Sequence, residues 1–132
     1  MRIRPGLAAL LACIAGACAY SHGDDGAVTA TAEAFLADQR AGAWDAAFAR
    51  LHVNLQRACE SWQRMRDRVG PDADVPQHWT LQPPRMLRYT ARIAGEVHRH
   101  DGARTVLELA FDRVDSHWEI TAWSNGGVEP CR

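Results

Sequence analysis

The spacing of apolar residues changes from a helical period to a strand period near the middle of the chain. Between residues 28 and 69, apolar side chains recur every three to four positions, which predicts helices with one buried face. The first stripe comprises Val28, Ala32, Phe35, Leu36 and Gln39, and the second comprises Trp44, Ala47, Phe48 and Leu51. Gly42 separates the two stripes and is the expected end of the first helix. Asn54 is the predicted N-cap of a third helix that ends near Gly70.

From residue 86 to residue 125, apolar residues alternate with polar ones, which predicts antiparallel strands with one buried face. The predicted inward-facing residues are Leu87, Tyr89, Ala91, Ile93, Thr105, Leu107, Leu109, Phe111, Arg113, Trp118, Ile120 and Ala122. The outward-facing set includes Arg88, Arg92, Glu108 and Trp123. The proline-rich residues 70–85 predict a connector with a short edge strand at Trp79–Leu81.

Two turns determine how these strands pair. A three-residue loop at residues 100–102 pairs Ile93 with Leu109 on the inner face, whereas a two-residue loop would turn Leu109 outward. A two-residue turn at residues 115–116 then pairs Leu109 with Ala122. The helices and the meander together predict a single α+β domain, with the helices packed on an antiparallel sheet.

The first 21 residues have the layout of a bacterial export signal. Arg2 and Arg4 precede an uncharged apolar run over residues 7–19, which is too short to span a bilayer. Two processing routes stay open: lipidation of Cys18, or ordinary signal cleavage that leaves Tyr20 at the N-terminus. Both place the protein in the bacterial cell envelope on the periplasmic side, either lipid-anchored or soluble.

The predicted organisation is a signal segment at residues 1–19, a tether at 20–27, one domain at 28–127 and a tail at 128–132. The whole chain has a net charge of −1. Loss of Arg2 and Arg4 with the signal makes the remaining chain more acidic. Scattered arginines on an acidic domain argue against a nucleic-acid partner.

Export also predicts a disulfide, because disulfides persist in oxidising compartments. Cys13 leaves with the signal, and Cys18 is either acylated or removed. Cys59 and Cys131 are then the thiols that pair, closing a loop that stabilises the fold by about 4 kcal/mol. The alternative is a buried Cys59 and a free thiol at Cys131.

Two segments resemble the nuclear-transport-factor-2-like superfamily, also called ketosteroid-isomerase-like. Residues 32–51, AEAFLADQRAGAWDAAFARL, resemble its opening helices, and residues 117–127, HWEITAWSNGG, resemble its last strand. The similarity is closest to small exported bacterial members of unknown function. It implies a curved, cone-like sheet around the helices, with an apolar pocket inside the cone.

The residues expected to bind a ligand in that pocket are Tyr89, Arg113 and Trp118. Arg113 lies opposite Trp118 in the predicted register. It either binds the anionic head of a ligand at the rim or, as the favoured alternative, extends past Trp118 into water. The predicted inner face carries neither a carboxylate nor an imidazole, so no catalytic residue and no cofactor are expected. Glu96, His98 and His100 share an outer strand face, but a polar hairpin tip is preferred there to a metal site.

The favoured function is a non-catalytic envelope domain that binds a small apolar ligand or another envelope protein. The candidate contact surfaces are the proline-rich connector and the outer face of the sheet with Arg88, Arg92 and Trp123. A homodimer through Trp123 is one form of that contact, and the membrane is reached only through a lipid anchor. One alternative is a small isomerase or dehydratase that uses Tyr89 with Asp38 or Asp45. Another is a structural assembly domain without a pocket.

Overall fold

The computed structural model describes residues 24–70 and 75–132. Within these residues, four helices precede a five-stranded antiparallel sheet, so the chain has an α+β fold. The helices are α1 over residues 24–40, α2 over Trp44–Ala49, α3 over Val53–Cys59 and α4 over Trp62–Val69. The strands are β1 over Pro76–Leu81, β2 over Arg85–Met86, β3 over Thr90–Arg99, β4 over Arg104–Val114 and β5 over His117–Asn125.

The sheet has the order β1-β3-β4-β5, and the short β2 pairs with β3 on the same side as β1. The helices cover one face of this sheet, where buried residues from both layers form a single cluster. Its centre includes Phe35 and Trp123, whose rings meet edge to face with centroids 4.9 Å apart. The other sheet face is open to solvent.

The helices begin and end at positions that differ in part from the sequence-based prediction. Residues 24–27, predicted as part of a tether, are already helical. Gly42 adopts a φ of 75° just after α1, as expected for a glycine that ends a helix. The predicted signal segment, Cys18 and residues 20–23 lie outside the described residues.

The predicted third helix is divided in two. Glu60 adopts a φ of 75°, which ends α3, and the Ser61 hydroxyl accepts a hydrogen bond from the Arg64 N–H at 3.2 Å to cap α4. The N-cap of α3 is His52, whose Nδ1 accepts from the Asn54 N–H at 3.2 Å. The prediction that Asn54 caps this helix is therefore wrong by two residues.

The β3–β4 hairpin has the predicted register. Ile93 pairs with Leu109, and Gly102 adopts a φ of 85° in the three-residue loop. The prediction that Leu87 and Tyr89 face inward is wrong, because their exposed fractions are 74% and 66%. The Leu87 N–H donates to the Thr90 carbonyl at 2.8 Å and closes a turn, so β3 begins only at Thr90.

The β4–β5 hairpin contains a bulge that reverses two predicted orientations. Phe111 pairs with Ile120, but Ala110 pairs with Ala122, so Thr121 is an extra residue on β5. Trp123 consequently faces the core with 2% exposure, and Ala122 faces solvent. Both predictions, Trp123 outward and Ala122 inward, are wrong for this reason.

The predicted disulfide between Cys59 and Cys131 is present, with a Cα–Cα distance of 4.7 Å. It joins the end of α3 to the C-terminal tail across 72 residues of sequence. Both cysteines are buried in the core cluster. The tail is therefore fixed to the domain at its next-to-last residue.

Candidate binding groove on the outward face of the sheet

The three residues predicted to bind a ligand lie close together in the backbone but do not line a common pocket. The Arg113 N–H donates to the Tyr89 carbonyl at 2.8 Å, and Arg113 pairs with Trp118 across the hairpin. Trp118 is 5% exposed within the core, whereas Tyr89 is exposed on a turn. The Arg113 guanidinium lies 3.8 Å from the carboxylate of Asp24 at the start of α1.

The catalytic alternative that pairs Tyr89 with Asp38 is also separated. Asp38 accepts a 2.7 Å hydrogen bond from Arg50. It lies fourteen residues along α1 from Asp24, about 20 Å at the rise of an α-helix. Since Asp24 marks the end of the helix near Arg113 and Tyr89, Asp38 and Tyr89 do not share a site.

The polar stripe at the β3–β4 tip is held by ion pairs. His98 Nε2 lies 3.1 Å from the Glu96 carboxylate, and Arg104, which pairs with His98 across the hairpin, lies 3.9 Å from the same carboxylate. Across residues 24–70 and 75–132, the structure places no group of three or more His, Cys, Asp or Glu side chains where they could hold a metal ion.

A concavity lies instead on the solvent face of the sheet. It is an open groove with a volume of about 800 Å³. Two rows of residues that run across the strands form its floor. The first row is Arg85, Arg92, Ala110 and Ala122, and the second is Gln82, Ala94, Glu108 and Ser124. Pro83 and Glu129 also line the groove.

This recess follows from the sequence in two ways. Alanine and serine occupy half of the eight floor positions, so few side chains rise from the centre of the sheet face. The bulge at Thr121 directs the largest nearby ring, that of Trp123, into the core. Without the extra residue, Trp123 would project outward beside the groove floor.

The groove has two like charges side by side at one edge. Arg85 and Arg92 are directly opposite each other on β2 and β3. In this arrangement the Cβ atoms of the two residues are about 5 Å apart, so two side chains of like charge rise next to each other. Neither guanidinium has a hydrogen-bond or ion-pair partner among the described residues. Facing like charges destabilise a sheet, and an anion bound between the two side chains would relieve the repulsion.

The second row carries the opposite charge. Glu108 pairs with Ala94 and is diagonal to Arg92. The Cβ atoms of diagonal residues on neighbouring strands are about 7–8 Å apart. Glu108 forms no ion pair among the residues that the structure describes. Glu129, from the tail, lies 3.6 Å from Arg132. The groove is thus positive toward β2 and negative toward β4.

Sequence reasoning assigned Arg92 and Glu108 to the outer face but did not identify the groove. Arg85 was missed because the two-residue strand β2 sits within a proline-rich connector and shows no alternation. The run of small residues could have suggested an open floor. Their alignment, however, depends on the bulge at Thr121, which leaves no clear signal in the residue pattern.

No protein-family model matches the chain, and neither a curated protein nor a solved structure is significantly similar to it. The structure gives no helix, over the residues it describes, with the length and apolar character needed to cross a membrane.

Proposed function

We propose that this chain is an exported, non-catalytic binding domain of the bacterial cell envelope, and that it binds a small ligand in the groove on the outward face of its sheet. The proposal keeps the class of function expected from the sequence but moves the site. The exported location, through either a lipid anchor at Cys18 or soluble secretion, belongs to the proposal. So does the relationship to the nuclear-transport-factor-2-like superfamily, with its curved, cone-like sheet.

The observation that carries the proposal is the contrast between the two sheet faces. Large side chains from helices and strands pack together on the inner face, and Trp118, expected in an apolar pocket there, is part of that packing. The outer face offers the 800 Å³ groove, within the size range of small-molecule sites. The charged residues in its lining, Arg85, Arg92 and Glu108, favour a hydrophilic ligand over the apolar one predicted from the sequence.

A second copy of the chain fits this face less well. The floor is recessed, and a two-fold related copy would present the same recess, so the two floors could not touch. Trp123, the aromatic residue expected at a dimer contact, is buried within its own domain. The groove therefore supports ligand binding ahead of homodimer formation.

Nuclear magnetic resonance titration tests the proposal directly. The chain without its predicted signal segment, residues 1–19, is called the mature domain. It is titrated with glutarate, cadaverine, dialanine and laurate, which represent anionic, cationic, dipolar and apolar ligands. We expect one or more of the first three to shift the backbone amides of Ala94, Ala110 and Ala122 while leaving the Trp118 indole unchanged.

Two results would overturn the proposal. The first is a shift of the Trp118 indole with laurate while the groove amides stay constant, which would return the site to the interior. The second is the absence of any groove shift with all four probes. Sedimentation at the same concentrations separates ligand binding from self-association, which would shift groove amides without added probe.

A further inference from the structure

The charges that line the groove indicate which chemical class of ligand it takes. We infer that the groove binds a short dipolar ligand of dipeptide length, with its anionic end at Arg85 and Arg92 and its cationic end at Glu108. This inference rests on the proposed function and assigns the ligand class of that same groove.

The anionic end is specified by the two guanidinium groups. Arg85 and Arg92 occupy adjacent strands in the same row and both line the groove. A carboxylate placed between them could accept hydrogen bonds from both, because guanidinium groups match carboxylate geometry. Binding would also remove the repulsion between the two arginines, so the protein gains stability as the anion enters.

The cationic end is specified by Glu108 in the next row. Its carboxylate lacks an arginine partner within the described chain, and Ala94 and Ser124 beside it leave the groove open above the strand. An ammonium group there would be attracted by Glu108 and, more weakly, by Glu129, which already lies near Arg132.

The separation between the two ends sets the length of the ligand. Arg92 and Glu108 lie on neighbouring strands and are offset by two residues, which places their Cβ atoms about 7–8 Å apart and lets the flexible side chains reach the two ends of a ligand of similar length. The termini of an extended dipeptide are about 7 Å apart. A single amino acid is too short to reach both ends, and a longer peptide would extend past Arg85 toward Pro83.

The test compares three forms of one probe. Free dialanine carries both charges, N-acetyl-dialanine lacks the cation, and dialanine amide lacks the anion. Affinity is measured from the titration of the Ala110 and Ala122 amides at low ionic strength. We expect the free dipeptide to bind most tightly and the amide to bind about tenfold more weakly or worse, because it loses charge-assisted hydrogen bonds.

Four variants assign each loss to a side chain. Arg92→Gln should lower the affinity for free dialanine by about tenfold yet leave the affinity for dialanine amide unchanged. Glu108→Gln should remove the preference for free over N-acetylated dialanine. Arg88→Gln and Glu96→Gln are matched controls outside the groove and should bind like the parent. The melting temperature of Arg92→Gln should be no lower than that of the parent, since the substitution relieves like-charge repulsion.

The outcomes separate this inference from the proposed function. Equal affinities for the three dialanine forms, or glutarate binding as tightly as dialanine, would overturn the dipolar ligand while the groove remains a binding site. Absence of groove shifts with every probe would overturn both. A binding loss in the Arg88→Gln control equal to that in Arg92→Gln would also contradict the inference, because it would reduce the arginine pair to general surface charge.

Discussion

At the scale of single residues, Gln39 is the buried side chain that the surrounding structure does not satisfy. It continues the apolar stripe of α1 and is 1% exposed. Its Nε2 and Oε1 atoms have no hydrogen-bond partner among the described residues. Burying an amide without hydrogen-bond partners destabilises the fold by about 1–3 kcal/mol, because no protein group replaces the water that the amide loses. The sequence pattern placed Gln39 on the buried face correctly but gave no indication of its unpaired amide.

Replacing Gln39 with methionine should therefore stabilise the protein. Gln39→Met keeps a similar side-chain length and removes the unpaired amide, so we expect the free energy of unfolding to rise by about 1–2 kcal/mol. Chemical denaturation of the mature domain measures the change.

Gln56→Met is the matched control for this experiment. Gln56 Nε2 donates to the Phe48 carbonyl at 3.0 Å, so its replacement should lower the free energy of unfolding by about 1 kcal/mol. A loss of stability in Gln39→Met as large as that in Gln56→Met would show that the Gln39 amide is satisfied in solution.

At the scale of elements, local sequence patterns predicted those features that depend on the periodicity of side chains and on turn residues. The face of α1, the glycine after it and the β3–β4 register follow from such patterns, and each is present. The break at Glu60 and the bulge at Thr121 were not predicted, because each depends on one residue adopting a geometry that tertiary packing selects. The candidate site was missed for the same reason, since its open floor is a consequence of the bulge.

Strand β1 is held at the sheet edge by a close approach that only glycine permits. A Cβ atom on Gly95 would lie 2.5 Å from the Thr80 carbonyl oxygen and 2.9 Å from Leu81 Cδ2. On its other side, β1 contacts α1, where Arg40 stacks on Trp79 at 4.8 Å and the Trp79 indole N–H donates to Glu33. The edge strand is thus fixed by both layers of the fold.

Gly95→Ala should disrupt this edge. The added methyl group clashes with backbone atoms of β1, so we expect the free energy of unfolding to fall by about 1–3 kcal/mol. Hydrogen exchange of the β1 amides should accelerate, which reports the separation of the two strands.

Gly26→Ala provides the comparison, because nothing lies within 4 Å of an added Cβ there and the residue is in α1. It should be neutral or stabilise by up to about 1 kcal/mol. If Gly95→Ala were as stable as Gly26→Ala, with β1 exchange unchanged, the described contact between β1 and β3 would be incorrect.

At the scale of the whole molecule, the disulfide connects the helical layer to the groove. Cys131 is bound to the end of α3, and Glu129, two residues earlier, lines the groove on the opposite face of the sheet. The tail therefore runs around the domain from the core to the open face. The expectation of export, with the two thiols it leaves, predicted this pairing, but not its consequence for the groove.

Removing the disulfide should cost much of the stability of so small a domain. For Cys59→Ala combined with Cys131→Ala, we expect the free energy of unfolding to fall by about 4 kcal/mol, because the bond closes a loop of 72 residues. Denaturation of the parent and the double variant, both without reductant, measures the difference. A loss below about 1 kcal/mol, or two free thiols in the denatured parent, would contradict the structural role of this bond.

The central claim is that the outer sheet face is open because the bulge at Thr121 directs Trp123 into the core. Nuclear Overhauser effects from the Trp123 indole in the mature domain test this most directly. We predict strong contacts to the ring of Phe35, whose centroid lies 4.9 Å away. Contacts to the methyl groups of Ala94 and Ala110 instead would place the indole in the groove, and both the open site and its proposed ligand would then be wrong.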